Sequence, residues 1–219
     1  MVLRGKSNFR FALVGVMAVI VSACSIPAGG GGSVSASQTL SLLSPANNLF
    51  TNSTTVVLDW SDVAGVTSYR AHLGTSSSFT AASSVYSGAA SEATLHSLVD
   101  NTYYWWAESR DAGTGETGSY TGPRIFTVDT VAPSLKINKA PQPVQVNASS
   151  VTYTFSASGY TTLRCRLYLS DQTPPAYQSC SSPFTQSIGY GSYTFEVQAI
   201  DAAGNIRTRT DTFENQDSG

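Results

Sequence analysis

His72 and His96 are the chain's two histidines, so general-base chemistry near neutral pH would have to use one of them. A serine-type site also needs a nucleophile in reach and a carboxylate that orients the base. Serine is abundant here, so closeness to one decides little, and no Gly-x-Ser-x-Gly strand–turn–helix context occurs. His72 falls on the outward phase of an alternating stretch, and His96 lies in a stretch that also reads as strand. Both are expected to be surface or hydrogen-bonded histidines. Paired carboxylates would suggest glycoside hydrolysis, but Asp59, Asp62, Glu92, Glu108 and Glu116 are scattered over strands and turns. Asp201-Ala202-Ala203-Gly204-Asn205 reads as a tight turn in which Asp accepts backbone N–H groups. The sharper alternative is a calcium site completed by Asp129 or Asp211. Asp111-Ala112-Gly113-Thr114-Gly115 carries the same two readings. No catalytic residue, no cofactor and no enzyme activity is expected.

Three cysteines remain to be placed: Cys24, Cys165 and Cys180. Upstream of Cys24, Arg4, Lys6 and Arg10 form a positive start, and Phe11 to Val21 is an almost unbroken apolar run. That run is shorter than the ~20 residues of a spanning helix and reads as a secretory signal. Val21-Ser22-Ala23-Cys24 resembles the lipobox of bacterial lipoproteins. The resemblance implies cleavage before Cys24, diacylglycerol on its thiol and acylation of the new amine. Three acyl chains exceed the two-signal threshold for stable anchoring. Ser25 follows instead of the Asp that retains such proteins in the inner membrane, so the resemblance implies the outer membrane. Ala28-Gly29-Gly30-Gly31-Gly32-Ser33 and the residues to Ser37 form a flexible tether. Its ~14 residues reach about 20 Å at 5–6 Å × √n. In an oxidising compartment Cys165 and Cys180 read as a disulfide, with two free thiols or a metal pair as the alternatives.

The rest of the chain is built on repetition. Thr102 to Ala112 lines up with Ser192 to Ala202 at an offset of 90, and Ser97-Leu98 matches Ser187-Ile188 at the same offset. Such a period is too long for a solenoid and suits sandwich domains of ~100 residues. Apolar and polar residues alternate in each half. Val56, Leu58 and Trp60 take one phase of their strand, and Tyr69, Ala71 and Leu73 that of the next. Glu92–Leu98, Thr102–Arg110 and Pro123–Val128 continue the series. In the second half the expected strands are Val151–Ala157, Leu163–Leu169, Tyr193–Ile200 and Arg207–Phe213. No helical period follows the signal. Charged residues are 12% of the chain against ~25% in an average domain, which fits strands rich in Ser, Thr, Tyr and Val.

Leu58-Asp59-Trp60-Ser61-Asp62-Val63-Ala64-Gly65-Val66-Thr67-Ser68-Tyr69 and Leu98-Val99-Asp100-Asn101-Thr102-Tyr103-Tyr104-Trp105 resemble a bacterial fibronectin type III domain. The resemblance implies that the Trp and Tyr are core residues on strands of opposed sheets. Phe155-Ser156-Ala157, Arg164-Cys165-Arg166-Leu167, Cys180-Ser181-Ser182-Pro183 and Asp201-Ala202-Ala203-Gly204-Asn205 resemble bacterial immunoglobulin-like domains. Together the two cover about residues 38–214. The inter-sheet cysteines of antibody domains are absent, because neither Val151–Ala157 nor Tyr193–Ile200 contains one.

The repeat also assigns faces. Tyr193, Phe195, Val197 and Ala199 alternate with Thr194, Glu196 and Gln198, so the apolar set faces inward. Carried back by 90, this phase turns Tyr103, Trp105, Ala107 and Ser109 inward. Tyr104, Trp106, Glu108 and Arg110 then point outward. In a fibronectin type III topology this strand pairs with the one whose outward residues include Arg70 and His72. Two aromatic rings ~6.6–7 Å apart, edged by charge, suit stacking on sugar rings or a protein hot spot. The alternatives are Arg70 stacked on Trp106, or coverage by the second domain.

The expected architecture is therefore all-β: two tandem immunoglobulin-like or fibronectin type III-like sandwiches behind a signal and tether. The segments are 1–23 signal, 24–37 lipidated tether, 38–130 first sandwich and 131–215 second sandwich. Val128 to Pro133 would be a short, semi-rigid linker. The expected function is a lipid-anchored envelope lipoprotein that binds an envelope protein or polysaccharide without catalysis. The expected face is Arg70, His72, Tyr104, Trp106 and Glu108. The alternative is a spacer with no ligand of its own. Net charge is −2, and losing Arg4, Lys6 and Arg10 takes it to −5, which argues against nucleic acid as a partner.

Overall fold

A computed structural model of the chain describes residues 39–110 and 117–219. The signal, Cys24, the tether and the Asp111–Gly115 turn lie outside the described residues.

Alternating Val, Leu, Trp and Tyr between Gly, Ser and Asn turns makes sixteen strands among the described residues. The first eight are β1 (Leu42–Ser44), β2 (Leu49–Thr51), β3 (Val56–Trp60), β4 (Ser68–Gly74), β5 (Ser83–Gly88), β6 (Glu92–Leu95), β7 (Asn101–Arg110) and β8 (Thr117–Val128). They form a three-stranded sheet in the order β1-β3-β6 and a five-stranded sheet in the order β2-β8-β7-β4-β5. The second eight are β9 (Ser134–Lys139), β10 (Val144–Val146), β11 (Ser150–Ser158), β12 (Thr162–Leu169), β13 (Gln178–Ser179), β14 (Phe184–Ser187), β15 (Gly191–Ile200) and β16 (Ile206–Gln216). Their sheets run β14-β11-β9 and β10-β16-β15-β12-β13. The two halves thus share one topology strand for strand. In each, a short strand pairs in parallel with the last strand, β2 with β8 and β10 with β16. The fold is all-β, two fibronectin type III-like sandwiches.

Each core lies between its two sheets. In the first, Leu58 and Trp60 of β3 meet Tyr69 of β4 and Trp105 of β7. Trp60 is 1% exposed, with its ring 6.4 Å from that of Trp105 and 6.0 Å from Tyr69. In the second, Tyr153 of β11 stacks on Phe195 of β15 at 3.9 Å. Tyr103 and Trp105 are buried in the first core as Tyr193 and Phe195 are in the second, so the phase carried across the repeat holds.

The repeat also places one feature that pattern reading passed over. Tyr103 donates its hydroxyl to the Val99 carbonyl at 2.9 Å, and Tyr193 accepts from the Gly189 N–H at 3.0 Å. Each ring sits near the start of its strand and ties back four residues upstream, the tyrosine corner of sandwich folds. The offset of 90 aligns these two tyrosines, but their hydrogen bonds appear only in the structure.

Three expectations need correction. The strand expected over Glu92–Leu98 stops at Leu95, because Ser97 takes φ +57° and breaks the extended run. His96 therefore follows the strand end. The last strand of the first half begins at Thr117 rather than Pro123. Seven of the described strands were not expected: β5, β9 and β14, and the shorter β1, β2, β10 and β13, which carry too few residues to show a period.

The segment joining the halves is held by side chains. Asp100 accepts from the Thr130 N–H at 3.0 Å, and Asn205 donates Nδ2 to the Asp129 carbonyl at 2.7 Å.

Candidate functional site

Pairing of β4 with β7 sets Arg70 opposite Glu108, His72 opposite Trp106 and Gly74 opposite Tyr104. The five residues expected to share the outer face do share it. Exposure is what differs. Trp106 is 2% exposed and Glu108 6%, so the expectation of an open Trp106 ring is corrected. The cover comes from the β4–β5 connection, where a 3-10 turn at Phe79–Ala81 folds over the sheet. Phe79 meets Trp106 edge-on at 5.6 Å and His72 at 4.9 Å, and stacks on Tyr120 of β8 at 4.9 Å. On the other side β8 bulges, with Gly122 and Pro123 facing Trp106 where the register shifts. Gly122 has φ +134°, and a Cβ there would stand 2.6 Å from Trp106 Cδ1. Only glycine lets the strand close over the indole.

Glu108 lies beneath this cover. Its Oε1 is 3.4 Å from His72 Nε2 and 3.5 Å from Arg110 Nε. Neither contact is a well-aligned hydrogen bond, since neither nitrogen finds a bonding partner by angle. Tyr104 and Arg70 are half-buried. His96 is elsewhere, exposed at the far sheet, with Nδ1 3.5 Å from Thr55 Oγ1.

The equivalent face of the second sandwich closes by other means. In β12–β15, Arg164 stands opposite Gln198 and Arg166 opposite Glu196. Glu196 accepts from Arg166 Nη2 at 2.8 Å and Nε at 3.2 Å, from the Tyr168 hydroxyl at 2.8 Å, and from the Tyr177 hydroxyl. The Arg166 guanidinium lies 4.2 Å and that of Arg164 5.0 Å from the Tyr177 ring. Burial pushes the Glu196 carboxyl up, but hydrogen bonds from Tyr177, Tyr168 and Arg166, with the charge of Arg166, outweigh it. The group sits below the usual carboxylate range. Burial, and then the bond to Glu196, push the Tyr177 hydroxyl up to about 12.

Tyr177 reaches this face because its loop is tied down. Cys165 and Cys180 are joined, with Cα atoms 5.7 Å apart, and Cys165 points into the core as its phase predicts. The disulfide expected from the even pair is present. Sequence reading did not assemble the Arg166–Glu196–Tyr177 group. The available signal was the pair Arg164 and Arg166 on the outward phase, opposite polar positions in the repeat.

The Asp201 turn forms as the turn reading described. Its Oδ1 accepts the Asn205 N–H and its Oδ2 accepts Asn205 Nδ2, both at 2.9 Å, and Gly204 takes φ +89°. Asp129 accepts the Val131 N–H and Asp211 accepts the Tyr153 hydroxyl. Each of the three carboxylates considered for calcium thus holds a protein donor.

No family model matches the chain, and no curated protein matches it. Among solved structures it is similar to the fibronectin(III)-like modules of CbhA from Clostridium thermocellum. That match has 12% identity and a TM-score of 0.49, and covers 82% of this chain and 95% of that one. It is also similar to the FN1–FN3 domains of chicken CNTN1, at 10% identity and a TM-score of 0.40, covering 77% of this chain and 65% of that one.

Proposed function

We propose that this chain is a lipid-anchored lipoprotein of the cell envelope, placed at the outer membrane. Its two sandwiches, the second read as bacterial immunoglobulin-like, form a non-enzymatic binding module for a polysaccharide or protein partner. The charged start, the apolar run, Val21-Ser22-Ala23-Cys24 and the glycine tether support the anchor. The enclosure of His72 carries the non-enzymatic part. Its side chain is 13% exposed and lies against Phe79 and Glu108, so this imidazole is not offered to a substrate. The covered Trp106 ring moves the partner contact away from the first sandwich's outer face. That same cover favours the second reading, a spacer whose sheets need only be stable.

The test uses the full chain expressed in a bacterial host with labelled palmitate. Wild type is expected to incorporate label and partition into the detergent phase of a Triton extraction, and Cys24→Ser to lose the label. A Cys24→Ser chain labelled as strongly as wild type would sink the anchor. Cosedimentation of the chain with purified envelope polysaccharide or envelope protein would support the binding module. Cosedimentation with neither would leave the spacer.

A further inference from the structure

A groove of about 430 Å³ opens at the edge of the second sandwich, where β9 and β11 of one sheet approach β16 of the other. Three cations line it, Lys136 from β9 and Arg207 and Arg209 from β16, and among the described residues no carboxylate does. Among the described residues none of the three belongs to an ion pair. Among the described residues the two guanidiniums hydrogen-bond to backbone carbonyls, Arg207 Nε to that of Pro133 at 3.4 Å and Arg209 Nη1 to that of Thr208 at 3.2 Å. Asp211, next in phase along β16, is turned to the Tyr153 hydroxyl instead.

Hydroxyls complete the lining. Ser134 pairs with Ser158 across the β9–β11 ladder, and Lys136 with Ser156. The Ser134 and Ser158 hydroxyls bond each other at 2.8 Å, which leaves one O–H of the pair free to donate. Arg207 and Arg209, at i and i+2 on a strand, stand ~7 Å apart. Like charges gathered this way repel each other, and an anion between them relieves the repulsion. The cluster also runs against the chain's own charge, −5 once the signal's three cations are gone. Net charge alone would keep anions away, so the groove is a local exception.

We propose that this groove binds an oxyanion, a phosphate, sulfate or carboxylate group, carried on an acidic envelope polysaccharide. The guanidinium forks and the ammonium hold the oxyanion, and the serine hydroxyls meet neighbouring sugar hydroxyls. The polysaccharide source rests on the binding-module reading. The oxyanion contact rests on the groove alone.

The full chain in detergent would be titrated by calorimetry at low salt with sodium phosphate, dextran sulfate and uncharged dextran. Dextran sulfate is expected to bind, phosphate to compete with it, and dextran to give no heat. Arg207→Gln/Arg209→Gln should weaken dextran sulfate at least tenfold. Lys139→Gln, a cation of β9 outside the groove, should weaken it less than twofold. A melting curve for each variant, matching wild type in the absence of anion, keeps misfolding out of the comparison. Equal affinity of the double variant and wild type would overturn the site, and so would a Lys139→Gln loss as large as that of the double variant. Phosphate binding without dextran sulfate binding would overturn the polysaccharide source and retain the oxyanion site. None of these readings depends on whether Cys24 is acylated.

Discussion

The two sandwiches share a topology and put different chemistry at the same positions. His72 opposite Trp106 in the first corresponds to Arg166 opposite Glu196 in the second. The first covers its outer sheet with an apolar lid, Phe79 over Trp106, and leaves Glu108 beneath, loosely contacted by His72 and Arg110. The second covers its sheet with a satisfied polar group, Glu196 taking bonds from one arginine and two tyrosines. Each β4–β5 or β12–β13 connection supplies one aromatic for the purpose, Phe79 or Tyr177. A sandwich this small gains little from its core alone, so extra buried area on the outer face adds to stability in both. The first gains it largely by excluding water from an apolar contact. The second gains it from charge-assisted hydrogen bonds, which depend on protonation.

The largest effect should come from Trp106→Ala. An indole that is 2% exposed and enclosed by Phe79 and Gly122 is worth ~3–5 kcal/mol, as in a core. Urea unfolding followed by fluorescence should show that loss in the first sandwich's transition. A loss under ~1 kcal/mol would mean that the lid is open in solution, and the two faces would no longer differ as described. Next, replacing Cys165 and Cys180 together by alanine should lower the second sandwich's stability by ~3 kcal/mol, the chain-entropy value for a loop of about 15 residues. It should also loosen Tyr177. If stability fell while amide protection around Tyr177 stayed at wild-type level, the disulfide would not be what holds the second lid.

Phe79→Ala is a smaller change, ~1–2 kcal/mol for a half-buried ring. Its signature is a red shift of Trp106 emission, measured against Trp106→Phe to isolate that indole. No shift would assign the cover to β8 alone. The smallest effect belongs to Glu196→Gln, ~1 kcal/mol at neutral pH because solvent screens this face. Its pH dependence has a definite sign. The Glu196 carboxyl is held below its ordinary value in the folded chain. Its contribution is therefore present above the unfolded carboxylate range and lost as pH falls through the lowered value. Tyr177 runs the other way: its contribution is present below pH 10 and lost as pH rises toward about 12. Glu196→Gln should flatten the acid limb in the second sandwich and leave the first unchanged. An acid limb of equal slope in both proteins would remove Glu196 from the account.

The nine strands expected from the sequence, and their faces, were legible because both follow from a period of two and a repeat; β5, β9 and β14 were not, nor were the short β1, β2, β10 and β13. Trp105 inward and Trp106 outward required only the match of Thr102–Ala112 to Ser192–Ala202. The disulfide followed from an even cysteine pair, and the Asp201 turn from the habits of Asp, Gly and Asn. The openness of the outer face was not legible, since Phe79 is a single aromatic in a serine-rich loop with no period to say where it lands. The cationic groove was equally hidden. Lys136 and Arg207 sit in different sheets, and only the packing of β9 beside β16 brings them to one opening. Local alternation determined which way each side chain points, because that direction is a property of the extended backbone itself. Tertiary structure decided what each one meets, because loop closure and sheet packing join residues that no local pattern connects.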